Sequence, residues 1–124
     1  DVFIDRRPGI VPKALGWLHL GANIGAATTP SNTLQASTDE LDAIVTHALA
    51  SSGLAVDRRI ARGVTPNGEA RNVHGGGGRY VSVIGRSALF HNPGDRGAEA
   101  IDPVAIAQFS QAFIAVSRVM AGVA

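Results

Sequence analysis

One loop near the end of the chain holds the residues best suited to chemistry. Residues 87–102 read Ser-Ala-Leu-Phe-His-Asn-Pro-Gly-Asp-Arg-Gly-Ala-Glu-Ala-Ile-Asp and follow a strand-like segment. His91 offers an imidazole that can bind a metal ion or move a proton near neutral pH. Asn92 and Asp95 follow it at spacings that fix turns through hydrogen bonds to the backbone. The loop is therefore either a metal-binding segment that uses His91 or a turn in which His91 is hydrogen-bonded to Asp95.

The order of this segment resembles the closing part of the co-catalytic zinc aminopeptidases, the family of secreted bacterial leucyl aminopeptidases and glutamate carboxypeptidase. In that family an aromatic-His-Thr/Ser-Pro-x-Asp loop follows a strand and precedes the last amphipathic helix, and its histidine binds zinc. Residues 90–95, Phe-His-Asn-Pro-Gly-Asp, are similar to that loop, with Asn92 in place of Thr or Ser. The resemblance implies a partial zinc-peptidase-like layer fold in which His91 is a metal ligand.

The remaining parts of the family's metal site have no match in the sequence. Residues 17–25 resemble the strand and loop that carry its paired glutamates, but no carboxylate occurs between Asp5 and Asp39. A catalytic zinc needs about three protein ligands and an open position for water. We therefore expect zinc only if the site is completed by residues elsewhere, and otherwise no cofactor. In the isolated chain we expect neither stoichiometric zinc nor aminopeptidase activity, and no catalytic residue is predicted.

Two functions are compatible with these residues. The first is a metallopeptidase-like hydrolase segment for peptide or amide substrates, inactive alone. The second is a non-catalytic peptidase-like module that associates with proteins or binds a small ligand. A third hypothesis, a small enzyme with His91 and Asp95 as a general base, lacks a nucleophile, because Ser82 and Ser87 do not lie in a nucleophile-elbow pattern.

Other residues that could do chemistry fit structural roles. His19 lies in an apolar strand pattern and is predicted to be a hydrogen-bonded histidine of the core or its rim.

The four glycines at 75–78 lack the Gly-x-x-x-x-Gly-Lys-Ser/Thr order of a phosphate loop. They predict a close approach of the backbone to another segment. His74 and Arg79 would contact an anion only if a helix N-terminus also pointed there.

The composition excludes several classes of protein. Eleven basic and ten acidic residues among 124 give a net charge of +1, and the basic residues are scattered along the chain. A general nucleic-acid-binding surface is therefore not predicted. No apolar run reaches the roughly 18 residues of a membrane span, so no membrane insertion is predicted either. Because the chain has no cysteine, disulfides and thiolate metal sites are excluded.

The residue patterns predict an α/β fold: a mixed sheet with flanking amphipathic helices. Residues 1–124 form either a single domain or a fragment of a larger peptidase-like domain. Strands are predicted at residues 2–4, 14–20, 32–36 and 79–84, and a helical turn at 69–74. One long helix is capped by Ser37 or Thr38, and the last helix by Asp102.

Apolar surface predicts association. The last helix carries an apolar stripe from Ile106 to Val123, and the run from Ala14 to Leu20 is typical of a strand buried on both faces. A chain of this length supplies few layers to cover them, and an open sheet edge is a further reason to pair. We expect a homo-oligomer or a complex with a partner chain, and a peptide or small molecule as ligand.

Overall fold

The computed structural model describes residues 2–123 as an arrangement of helices around one sheet. Its named elements in chain order are α1 (Val2–Asp5), α2 (Ile10–Lys13), β1 (Trp17–Leu20), β2 (Ser31–Ala36), α3 (Asp39–Ser51), β3 (Arg58–Arg59), α4 (Ala70–Gly75), β4 (Tyr80–Arg86) and α5 (Pro103–Met120). The predicted α/β fold with a mixed sheet is thus confirmed. Its zinc-peptidase-like layer arrangement stays a prediction.

The sheet has the strand order β1-β4-β2-β3. The central strand β4 pairs in parallel with β1 and antiparallel with β2, and β3 pairs in parallel with β2. The β-branched and aromatic residues of β4 are typical of a central strand. Because β1 and β4 are parallel, the carboxyl ends of both strands lie at the same end of the sheet.

One face of the sheet is covered by the two long helices, and this is where the main core forms. Alternate residues of each strand point to this face. The buried side chains of the core are Leu34, Ala36, Leu41, Val45, Ala48, Leu49, Val81, Val83, Phe109, Ala112, Phe113 and Val116. They tie β2 and β4 to α3 and α5, which fixes the position of the strand ends.

The opposite face of the sheet is less completely covered. A small cluster of Val11, Ala70, Val73 and Tyr80 packs α2 and α4 onto one end of it. Farther along this second face, Ser82 and Ile84 of β4 stand opposite Gln35 and Thr33 of β2. Polar side chains are therefore concentrated on the face that the long helices leave open.

Both long helices begin at capping residues that the sequence predicts. The Thr38 hydroxyl accepts a hydrogen bond from the Leu41 N–H at 3.2 Å. The Asp102 carboxylate accepts hydrogen bonds from the N–H groups of Val104 and Ala105 at 2.9 and 3.2 Å. Such caps satisfy N–H groups that have no partner within the helix.

One strand prediction is wrong, and another is wrong in part. Residues 2–4 belong to the helical turn α1, where Arg6 N–H donates to the Val2 carbonyl, and no strand among residues 2–123 pairs with them. The run 14–20 is a strand only over Trp17–Leu20 and lies at the sheet edge, not at its centre. Leu15 and Leu20 are accordingly 69% and 48% exposed. An apolar run has no feature that separates an edge strand from a buried one.

Among the described helices, α5 is the one that is long and apolar enough to cross a membrane by length and composition. The core helix of a soluble protein passes the same test. In this structure Phe109, Phe113 and Val116 are buried between α5, α3 and the sheet. The middle of the predicted apolar stripe is therefore covered within the chain, and its ends at Ile106 and Val123 are exposed. Only 22% of α5 is buried, and Val104, Ile114 and Val119 on its other sides are also exposed.

Candidate functional site

A groove of about 570 Å³ lies where the parallel strands β1 and β4 end. In open α/β sheets, ligands bind in the crevice outside the carboxyl ends of the strands. We call the groove at the ends of β1 and β4 the arginine groove. It is lined by Ala22, Asn23, Thr33, Arg58, Ile60, Asn67, Ile84, Gly85, Arg86, Ser87 and Phe90. None of these lining residues is acidic, and two are arginines, so the groove carries a net positive charge.

The strand pairing explains how the two arginines come to the same groove. Arg58 of β3 stands opposite Thr33 of β2, and Thr33 stands opposite Ile84 of β4. Arg86 lies two residues beyond Ile84 and therefore on the same face. With neighbouring strands about 4.8 Å apart, the backbones of Arg58 and Arg86 flank a floor roughly 10 Å wide. Arg58 and Arg86 are both exposed and lie at the rim of the groove.

These two arginines differ from others near α3. Arg59, Arg62 and Arg79 form ion pairs with Asp42, Asp39 and Glu40, respectively. Within residues 2–123, Arg58 and Arg86 form no ion pair and donate no side-chain hydrogen bond. The neighbouring carboxylate of Asp57 accepts a hydrogen bond from the Asn32 N–H at 2.6 Å. The guanidinium groups of the groove are therefore available to an anionic ligand.

A hydrogen-bonded row of polar side chains lies beside the groove on the same face. His19 Nδ1 is 2.8 Å from the Ser82 hydroxyl, and His19 Nε2 is 3.1 Å from the Glu69 carboxylate. The order of groups is that of a Ser-His-acid triad, but Ser82 is only 2% exposed in the middle of β4. A nucleophile must reach its substrate. The row therefore has a structural role, and the prediction of a hydrogen-bonded His19 is confirmed.

Glu69 and Gln35 connect this row to the loop that walls the groove. The pKa of the Glu69 carboxyl is held below its usual value, first by a hydrogen bond from its own backbone and then by His19. Gln35 Nε2 donates to the carbonyls of Ala61 and Val64 at 3.3 and 2.6 Å. Gln35 Oε1 is buried and has no hydrogen-bond partner among the described residues. These bonds hold residues 60–69 over the second face.

The loop of the predicted metal ligand is exposed. His91 has a left-handed backbone (φ 60°), and its ring packs on Phe90 with centroids 3.9 Å apart. Asn92 fixes the turn, since its side-chain oxygen accepts from the Gly94 N–H at 2.9 Å and its carbonyl accepts from the Asp95 N–H at 2.8 Å. Between the described side chains of His91 and Asp95 there is no hydrogen bond. Ser87 and Phe90 are the members of this loop that line the arginine groove.

The donor groups do not fit a zinc site made by residues 2–123. No group of three or more His, Cys, Asp or Glu side chains in that range could hold a metal ion. Ligation by His91 therefore stays a prediction that needs residues elsewhere, and no chemical step is derived through zinc.

The glycine run follows the C-terminal end of α4, where carbonyl oxygens rather than N–H groups are exposed. This is the opposite of the helix end that binds anions, so His74 and Arg79 do not have the setting required for anion contacts. A Cβ atom on Gly78 would lie 2.6 Å from a methyl group of Val11. The predicted close approach of backbone to another segment is confirmed.

Sequence reasoning missed the arginine groove because its members come from five separate segments. The available signal was weak: Arg58 and Arg86 each lie in a short strand pattern, with no motif around them. Comparison of this chain with protein-family models, with curated proteins and with solved structures finds no match.

Proposed function

We propose that this protein is a non-catalytic binding module whose arginine groove takes a small molecule or short peptide that carries carboxylate groups. The observation that carries the proposal is the pair Arg58 and Arg86, both without an ion pair among residues 2–123, in a groove that has no acidic lining residue. Guanidinium groups bind carboxylates through paired, charge-assisted hydrogen bonds.

The neutral lining residues support a ligand that is more than a simple anion. Asn23, Asn67 and Ser87 bring amide and hydroxyl groups that can donate or accept hydrogen bonds. Ile84 and Phe90 offer apolar contact on the floor and at the rim. Two arginines across a floor roughly 10 Å wide favour a ligand with two acidic groups over one with a single carboxylate.

Isothermal titration calorimetry with succinate, glutarate, adipate and the tripeptide Glu-Ala-Glu tests the proposal, with acetate as the monocarboxylate comparison. We expect saturable binding of at least one diacid, and weaker binding of acetate. Charge-assisted hydrogen bonds contribute about 1.5–3 kcal/mol each, so Arg58→Gln and Arg86→Gln should each weaken binding by roughly 10- to 100-fold. Arg118→Gln removes the same charge from α5, outside the groove, and should leave the affinity unchanged.

Two results would refute the binding proposal. One is the absence of saturable binding by every diacid at millimolar concentration. The other is equal loss of affinity in Arg118→Gln and Arg86→Gln, which would mean that only the net charge matters. Hydrolysis of peptides or amides at a zinc site stays a separate prediction from the sequence, because it requires ligands that residues 2–123 do not bring together.

A further inference from the structure

The edge strand β1 has one side without a partner. It pairs with β4, and no strand among residues 2–123 lies on its other side. The N–H groups of Trp17 and Gly21 donate to carbonyls on the β4 side, each at 2.8 Å. Successive peptide groups of a strand point to opposite sides, so the N–H groups of Leu18 and Leu20 face the open edge. Such an edge is a template for another strand.

This edge lacks three of the features by which proteins prevent pairing of open strands. Charged side chains, prolines and bulges protect many edges, and the protection that β1 has is its short length of four residues. The strand reads Trp-Leu-His-Leu, and the sequence from residue 14 to residue 38 contains no Lys, Arg, Asp or Glu. Leu20 is 48% exposed although it belongs to the sheet. The strand is therefore apolar except for His19, whose ring contacts the Glu69 carboxylate on the second face. This composition disfavours a highly charged partner strand.

An apolar cavity lies beside β1 on each face of the sheet. On the second face, a cavity of about 210 Å³ is bounded by Trp17, His19 and Val73, with the Glu69 carboxylate beside His19. On the face covered by α5, a cavity of about 340 Å³ lies between Leu20 and Ile106. Side chains of a strand alternate between the two faces. A strand added at this edge would thus place apolar side chains next to both cavities, which is how added strands gain specificity.

We propose that the strand that pairs with this edge is β1 of a second copy, antiparallel about a twofold axis perpendicular to the sheet. β1 itself has the pattern that the two cavities require, with Trp17 on one face and Leu18 and Leu20 on the other. A twofold axis of this kind keeps the same faces aligned, so each copy offers its apolar residues to the other. The result is a continuous sheet of eight strands, four from each copy, with α5 of both copies on one face.

The test is light scattering coupled to gel filtration, with sedimentation velocity from about 1 to 200 μM. We expect a mass twice that of the 12.8 kDa chain. Leu20→Lys places a charge on the edge, and Leu20→Pro removes an outward N–H group without removing a bond to β4. Each should weaken the dimer at least tenfold. Val64→Lys is the matched control: Val64 is 51% exposed and lies in the loop after β3, so this variant should dimerise like the wild type.

Two outcomes would overturn the proposal. A wild-type monomer at every concentration excludes a second copy as the occupant. A dimer that is unaffected by either Leu20 variant, with circular dichroism showing that both are folded, places the interface away from β1. If Leu20→Pro fails to fold, Leu20→Lys alone decides.

Discussion

Removal of the Asp102 cap should destabilise the protein measurably, since α5 supplies a large share of the core. The Asp102 carboxylate accepts two of the N–H groups that open α5, at 2.9 and 3.2 Å. Replacement of an N-cap by Ala costs about 0.5–2 kcal/mol. With a thermal shift of roughly 3–5 °C per kcal/mol for a chain of this size, the midpoint of Asp102→Ala should fall by about 2–10 °C.

Two further variants separate the cap from the charge. Asp102→Asn keeps a capping oxygen and loses the favourable charge at the helix N-terminus, so it should lie between the wild type and Asp102→Ala, about 0.3–1 kcal/mol below the wild type. Asp95→Ala makes the same deletion in the exposed loop before α5 and should change the midpoint little. Differential scanning calorimetry at pH 7 measures all four proteins. Equal midpoints for Asp102→Ala and Asp95→Ala would refute the cap.

Two other substitutions test the packing of the glycine run and the His19 row. Gly78→Ala would bring its Cβ within 2.7 Å of methyl groups of both Val11 and Val73, so overpacking should cost about 1–3 kcal/mol in denaturant melts. Gly75→Ala has no atom within 4 Å of the new Cβ and should be neutral or slightly stabilising; equal losses in both would contradict the contact. Glu69 has a pKa below its unfolded value, so its stabilising contribution is present above about pH 4.5 and is lost as the pH falls through the folded pKa. Glu69→Gln should therefore melt below the wild type at pH 7, and the difference between the two melting temperatures should shrink as the pH falls below 4.5. A difference that stays constant down to the acid limit of folding would show that protonation of Glu69 is not involved.

The elements that sequence reasoning predicted well are those specified by neighbouring residues. Helices α3 and α5 each have a capping residue and an apolar face that repeats every three or four positions, and both are confirmed. The β-branched residues between glycines predict β4. The prediction of β2 agrees with the structure to within one residue, because turn-forming residues precede this strand and the cap of α3 follows it. In each case the information lies within about one turn or one strand of the element itself.

The features that sequence reasoning missed depend on pairing between distant segments. An apolar run such as residues 14–20 has the same pattern at the edge of a sheet as at its centre, and only its neighbours decide which it is. The arginine groove has the same origin, because Arg58 and Arg86 become neighbours only when β2 inserts between β3 and β4. The loop around His91 attracts attention for its motif, yet its contributions to the groove are Ser87 and Phe90.

The alternation along β4 links the core to the groove. Val81 and Val83 point to the covered face and are fully buried, so Ser82, Ile84 and Arg86 must point to the other. Polar groups on a sheet face are stable when they are hydrogen-bonded, and Ser82 meets this condition through His19. Arg86, the last residue of β4 on this face, has no ion pair within residues 2–123. The second face therefore changes along its length from internally satisfied polar groups to exposed charge, and the exposed charge is where a ligand with carboxylates would complete the hydrogen bonding.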